Sequence, residues 1–408
     1  MDQIEPLHVT IIGAGLGGLC LAQGLRRAGI PFDVYERDAA PHSRTQGYRI
    51  RIDAMGRQAL AECLPEARYD LFRATCAASA SAGRCVDPQL AALDGRAADN
   101  WAPSATEEGP GDLSAHRLTL REILMQDLGP HLHFGQACVD YAPAEDGAVT
   151  AQFADGSARR TRVLVAADGV HSMLRRRALP EAEPRATGTV CLYGRTPLTP
   201  ALRALAGDDL GTGTTVIGAD GFAAVLDAMR FGAPFAASCP DALRPAGLSR
   251  VEDYLYWAFI GPETRLARVE PIGRRADADV WLHSVDHWTR DWHPRVRRLL
   301  RHAEPESVAL QPVRRAPALG ATPPPAPLAF LGDAIHVMSP AGGVGANTAL
   351  ADAADLVARL AAARAGYGAG WPVALRDYHA ALRTRANAAL GMADRAAMKL
   401  FGSALAAE

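Results

Sequence analysis

The chain has 408 residues, 49% hydrophobic and 22% charged, enough for two to three domain equivalents around a real core. Its 43 basic and 45 acidic residues leave a net charge of -2, which argues against a nucleic-acid partner or an anionic membrane surface. Only Lys399 of the basic residues is lysine, a bias that GC-rich codon usage explains over most of the chain.

Residues 7-12 read as a short apolar strand running into Gly13. Apolar residues then take a helical period from Leu16 to Arg27, Gly29 stands at the C-cap position, and residues 32-36 form a second strand. This is a βαβ unit opening a parallel sheet. Residues 47-53 alternate like a half-buried strand, and a helix is expected to about Cys63. The stretch 73-113 is rich in small residues and loops. A helix is expected over Leu118 to Leu128, strands over 131-140 and 148-154, and a buried strand over 162-167 leading into a short helix from Val170 to Leu179. Between about 183 and 275 short β-type runs separated by glycine and proline replace the helical period. Residues 290-303 look helical, residues 323-327 form a Pro-rich connector, and a strand at 328-331 precedes a Gly-rich segment and Ala-rich helices.

The seven cysteines (Cys20, Cys63, Cys76, Cys85, Cys138, Cys191 and Cys239) are scattered and never spaced C-x-x-C. Neither a disulfide framework nor a zinc site is expected, and the thiols read as reduced. With no leader and no run of 18 apolar residues, the expectation is a cytoplasmic protein outside the membrane.

Three motifs carry chemistry. Gly13-Ala-Gly15-Leu-Gly-Gly18 lies between strand and helix, with Glu36 closing the second strand. Glycines there permit a tight turn and close approach of a pyrophosphate to backbone N–H groups, while Glu36 is placed to accept from a ribose hydroxyl. The motif alone does not separate NAD from FAD. The second motif runs Ala167-Asp168-Gly169-Val-His-Ser172-Met-Leu-Arg175. The third runs Gly332-Asp333-Ala-Ile-His336-Val-Met-Ser-Pro340-Ala-Gly342-Gly343-Val-Gly345-Ala346-Asn347, with Asp352 beyond. Asp333 can bond a ribityl hydroxyl. The glycine run brings N–H groups and a helix N-terminus against an anionic ring system.

In this order the three motifs resemble the single-component FAD-dependent aromatic hydroxylases, the para-hydroxybenzoate hydroxylase-like flavoprotein monooxygenases. His116-Arg117-Leu-Thr-Leu120 is similar to that family's R-x-x-L element, and Tyr48-Arg-Ile-Arg51 and Leu192-Tyr-Gly-Arg-Thr-Pro-Leu198 are similar to natural-product tailoring members. Ile335 and Ala351 depart from the commoner residues at their positions. The resemblance implies an α/β fold: a Rossmann-like, GR2-type FAD-binding domain over 1-72, 112-182 and 276-365. A mostly antiparallel β substrate domain over 73-111 and 183-275, and C-terminal helices over 366-408, complete it. It implies FAD, with NADPH or NADH as transient co-substrate and no second nucleotide fold. Reduced flavin and O2 would give a C4a-hydroperoxide that hydroxylates an aromatic or polyketide-like molecule. Epoxidation, Baeyer-Villiger insertion, a flavin dehydrogenase or reductase, and a non-catalytic flavoprotein scaffold stay open. A monomer or homodimer is expected.

The residues assigned to FAD are Gly13, Gly15, Leu16, Gly18, Glu36, Arg37, Arg51, Arg117, Asp168, Gly169, Gly332, Asp333, Pro340, Gly343, Gly345, Ala346 and Asn347. Gly342 joins the flavin-ring side, where Arg51, Pro340 and Gly343 are the candidate catalytic positions. Arg49 and Arg51 share one face of their strand, and Arg51 is expected to tune the flavin or hold an acidic substrate group, against a solvent-facing role. Met229, Phe231, Tyr256 and Phe259 are candidate substrate walls, with plain core packing the alternative. His283 and His287 are candidate bases, with surface or capping roles the alternative, and His336 reads as structural.

Overall fold

The computed structural model describes residues 7–43, 48–78, 83–93, 111–219, 221–235, 246–266, 278–322, 324–325, 327–366 and 370–401. The opening βαβ unit forms as the periodicity requires. Five parallel strands lie in the order Leu328–Phe330, Val163–Ala166, Val9–Ile12, Phe32–Glu36 and Leu132–Phe134. Val9–Ile12 and Val163–Ala166 are buried at every position, which is why, Thr10 apart, they are apolar on both faces rather than alternating. The helices Leu16–Arg27, Ala54–Cys63 and Gly345–Arg364 pack against one another. Glycine sets their spacing. A Cβ on Gly24 would sit 2.6 Å from Val357 Cγ2 and 3.1 Å from Cys63 Sγ. Asp53 caps the second of these helices by accepting from the Gly56 N–H.

A second sheet of six strands runs Ala309–Arg315, Arg185–Pro197, Tyr254–Pro262, Phe222–Met229, Thr214–Ala219 and Arg84–Val86. All its pairings are antiparallel except the last. Side-chain alternation sorts its faces. Leu255, Trp257 and Phe259 point into an apolar layer shared with Trp281, Val285 and Trp292, beneath the helices Ala278–Trp288 and Pro294–Leu300. Tyr254, Tyr256, Cys191 and Tyr193 alternate with them on the other face.

Four expectations change here. The helix expected over 290–303 forms only over Pro294–Leu300, and Ala278–Trp288 adds a helix that the sequence reading did not place. The segment 278–315, grouped by sequence with the FAD-binding part, instead covers and extends the second sheet. The early 131–140 run also divides: Leu132–Phe134 joins the parallel sheet, while Cys138–Pro143 starts a three-stranded antiparallel sheet with Val149–Phe153 and Ala158–Thr161. Residues 323 and 326 of the Pro-rich connector, Cys239 and the 94–110 stretch lie outside the described residues.

The C-terminal helix Trp371–Phe401 braces both sheets. Tyr378 donates to the Phe330 carbonyl at 2.7 Å, and Asp394 pairs with Arg315 at 2.8 Å. Among the described residues no helix is long and apolar enough to cross a membrane.

Candidate functional site

Strand Val9–Ile12 ends in a turn whose three motif glycines do different work. Gly13 has φ +111°, and a Cβ there would lie 2.2 Å from the Ala167 carbonyl oxygen. A Cβ on Gly18 would lie 2.2 Å from the Gly13 oxygen. Both serve close approach of backbone to backbone. At Gly15 a Cβ would meet nothing within 4 Å, so the protein itself leaves that space open. Gly15 also starts the helix Leu16–Arg27 without a side-chain cap or an acidic residue in the first turn. Its first N–H groups are left without helical acceptors, a setting that favours an anion. Glu36 is buried, accepting from Ala14 N at 2.8 Å and from Asp38 N at 3.0 Å. These bonds orient the carboxylate where it borders the cleft.

The second and third motifs meet through Arg175. This fully buried guanidinium donates to the Val170 and Ala334 carbonyls, each at 2.9 Å, and pairs with Glu183 at 2.9 Å. Asp168 accepts from Met173 N at 3.0 Å through one oxygen, while its Oδ1 is shielded from solvent with no hydrogen-bond partner. Burial raises the Asp168 carboxyl above its ordinary value, against the pull of Ser172 and Arg175. Gly169 lines the cleft beside it, and Asp333 is exposed there at the start of a one-turn helix.

Behind Asp333, Asp352 takes three donors: Gly332 N at 3.1 Å, His336 Nε2 at 2.6 Å and Arg385 Nε at 2.7 Å. Burial alone would lower the His336 imidazole, but the Asp352 charge outweighs it and holds it up. His336 is structural, as its position in the motif suggested.

The Pro340–Gly345 turn is fixed from beneath by Asn347. Its Nδ2 donates to the Arg51 carbonyl at 3.0 Å and to the Gly343 carbonyl at 3.1 Å, and its Oδ1 accepts from Asp53 N at 3.1 Å. Asn347 was expected to face a ligand; both its amide donors are instead used inside the protein, so it positions the turn. Gly343 is left-handed at φ +61°, Gly342 packs on Ala393, and Gly345 and Ala346 begin the helix Gly345–Arg364. Arg51 lies beside Gly343, with its Nε 3.3 Å from Asp112 Oδ2. Burial lowers the Arg51 guanidinium from its ordinary value, and Asp112 counters this. The solvent-facing alternative for Arg51 is thereby excluded, its side chain being 12% exposed. Asn347→Ala removes three hydrogen bonds worth about 1 kcal/mol each. A loss of about 2–3 kcal/mol in urea denaturation is expected; a loss within experimental error would show that the turn holds itself.

Residues of all three motifs face one cleft of about 1120 Å³, although Arg51, Gly343, Gly345, Ala346 and Asn347 are not among those that line it. It runs from Gly13–Gly15, Glu36 and Arg37, past Arg117, Asp168, Asp333 and Pro340, to Tyr48, Arg49, Tyr193 and Tyr256. That volume exceeds the roughly 300–1,000 Å³ of a site for one drug-sized molecule and suits a dinucleotide with a second ligand. The open space at Gly15 and the unpartnered Asp168 oxygen both fit FAD. A smaller cavity of about 300 Å³, bordered by Leu319, Phe330 and His379, includes none of the motif glycines.

The four candidate walls separate. Tyr256 lines the cleft. Phe259 is fully buried on the opposite face against Trp257, Trp288 and Trp292, three positions away and therefore of opposite parity. Met229 and Phe231 belong to a separate apolar cluster with Phe235, Val251 and Tyr254. His283 and His287 are exposed on the helix Ala278–Trp288, beyond the far face of the sheet, so neither serves as a base in the cleft. The sequence reading missed Tyr193 and Arg49 as wall residues, although both alternate correctly along their strands. Burial pushes the Tyr48 phenol up to about 12 and the Tyr256 phenol well above its ordinary value, so both stay protonated. Burial, then Arg195, lowers His116 to about 4, leaving it neutral.

Comparison with known proteins places the same regions in the same order. Residues 11–56 match the NAD(P)-binding Rossmann-like domain family and residues 327–393 the FAD binding domain family. A dual O-methyltransferase/FAD-dependent monooxygenase of Phaeosphaeria nodorum is 34% identical over 86% of this chain, which spans only 40% of that protein. A Photorhabdus luminescens protein, described as an FAD-containing monooxygenase, has a similar solved structure: TM-score 0.82 and 30% identity over 97% of this chain and 98% of that one. The Klebsiella pneumoniae protein HpxO, solved with FAD and uric acid, shares the fold at TM-score 0.75 and 23% identity, over 98% and 90% of the two chains.

Proposed function

The chain belongs to the FAD-dependent monooxygenases, and from that premise we propose that it uses NAD(P)H and O2 to hydroxylate an aromatic or polyketide-like molecule in secondary metabolism. One observation carries this reading: a single cleft joins all three FAD motifs to a tyrosine-lined face of the second sheet. When bound, FAD supplies the redox chemistry, taking a hydride from the nicotinamide and passing one oxygen atom from O2 to the substrate.

The protein's part is to hold and shield. The N–H groups after Gly13 and Gly15, with Leu16 and Gly18 setting the turn, would hold the pyrophosphate, and Glu36 a ribose hydroxyl. Arg37 and Arg117 would add positive charge along the cofactor, while Asp168, Gly169, Gly332 and Asp333 would meet its ribityl chain. Pro340, Gly343, Gly345 and Ala346 would form the floor beneath the flavin ring, with Arg51 at its edge. The helix Gly345–Arg364 has no acidic residue in its first turn, so its dipole would favour negative charge on the reduced ring. NADPH or NADH would dock transiently at the open side. The same reading carries a cytoplasmic monomer or homodimer with reduced thiols.

Stopped assays on FAD-loaded protein test the whole. A hydroxylated aromatic should accelerate NAD(P)H oxidation, and the product should gain one atom of labelled oxygen from 18O2. Substrate oxidation without label would turn the reading to a dehydrogenase, and bound FAD with no NAD(P)H oxidation to a non-catalytic flavoprotein.

A further inference from the structure

The tyrosine-lined end of the cleft contains a guanidinium that the FAD motifs do not use. Arg49 is 6% exposed, and its Nε lies 2.6 Å from Asp227 Oδ2 without the alignment of a directed hydrogen bond. Thr214 Oγ1 donates to the same carboxylate at 3.1 Å, and Asp227 stands opposite Tyr256 in the strand register. Arg49 has no other acceptor among the described residues, yet a guanidinium carries five N–H donors. The buried Nε faces Asp227, and the remaining N–H groups meet no acceptor among the described residues, so this wall of the cleft offers donors to an acceptor that the protein does not provide. The Tyr256 hydroxyl likewise lines the cleft with no hydrogen bond among the described residues, and it is held protonated.

Charge decides which acceptor. Arg49 and Asp227 form a neutral pair, and Arg51 with Asp112 and Arg195 with Glu304 form two more nearby. A carboxylate entering here would lose its water and meet Asp227 as well as Arg49, whereas a carbonyl or hydroxyl oxygen avoids both penalties. On the monooxygenase reading above, we propose that Arg49, neutralised by Asp227, is a specificity-determining residue. It selects an uncharged aromatic with a carbonyl or hydroxyl oxygen over an aromatic carboxylate.

Calorimetric binding to FAD-loaded protein tests this with two probes sharing one ring system, 2-acetyl-1-naphthol and 1-hydroxy-2-naphthoate. The wild type should bind the ketone about tenfold more tightly than the carboxylate. Arg49→Gln should lose about tenfold in ketone affinity, and Asp227→Asn should move the preference toward the carboxylate by about tenfold. Equal or reversed preference in the wild type overturns the proposal, as does failure to bind either probe. An unchanged ratio in Asp227→Asn overturns it too. The wild-type comparison needs no variant to fold. Ketone preference without incorporation of labelled oxygen would sink the monooxygenase reading alone; incorporation without the preference would sink only the role of Arg49.

Discussion

Gly15→Val is expected to leave a folded apoprotein that retains FAD about 10- to 100-fold less well. The protein leaves room for the added Cβ, which at Gly15 meets nothing within 4 Å, and the backbone there is extended at φ -76°. A ligand lying on the helix N-terminus would not leave that room. Overpacking costs about 1–3 kcal/mol, and about 1.4 kcal/mol is a factor of ten in affinity. Gly13→Ala makes the control, since its Cβ would collide with the Ala167 carbonyl and should damage the fold itself. Circular dichroism and FAD titration separate the two. Wild-type FAD affinity in Gly15→Val would mean that the cofactor does not lie against this turn.

A second large effect concerns stability. Asp352→Asn is expected to cost about 3–5 kcal/mol, the range for removing one partner of a buried ion pair, out of a total of about 5–15 kcal/mol. Asp352 is fully buried and is the common acceptor for Gly332, His336 and Arg385, so it ties the Asp333 turn to two helices. The sign of the pH dependence follows. Burial by itself would raise Asp352, but His336 and Arg385 hold it below 3.8; its contribution is present above that value and is lost as pH falls through the depressed one. His336 is held above 6.5, so its contribution is full below 6.5 and is lost as pH rises through the raised value. Urea denaturation should therefore show the gap between wild type and variant widest near mildly acidic pH. A gap under about 1 kcal/mol, typical of a neutral hydrogen bond, would show that the carboxylate is replaceable.

The three motifs were legible because their chemistry is local: a glycine turn, an acid at a strand end, a helix start. What escaped the sequence depends on partners far along the chain. Asn347 reads as a ligand-facing residue until its bonds to Arg51 and Asp53, 296 and 294 positions away, are seen. Arg175 stood inside a recognised motif, but its reach to Ala334, 159 positions on, could not be read from spacing. The 309–315 strand was assigned to the wrong part for the same reason, since it pairs with Arg185–Pro197 across three intervening strands and four α-helices. Phe259 is different. Its opposite parity to Tyr256 was visible in the alternating strand, and aromatic character alone misled.

That parity has a consequence for evolvability. Along Tyr254–Pro262 one backbone sets Tyr256 on the cleft and Leu255, Trp257 and Phe259, of the opposite parity, in the tryptophan-rich layer. Changes at Tyr256 or Tyr193 can remodel what the enzyme accepts while Leu255, Trp257 and Phe259 keep the sheet anchored. Descendants of such a chain can diversify in chemistry without first acquiring spare stability, since the two traits are encoded in interleaved, separable letters.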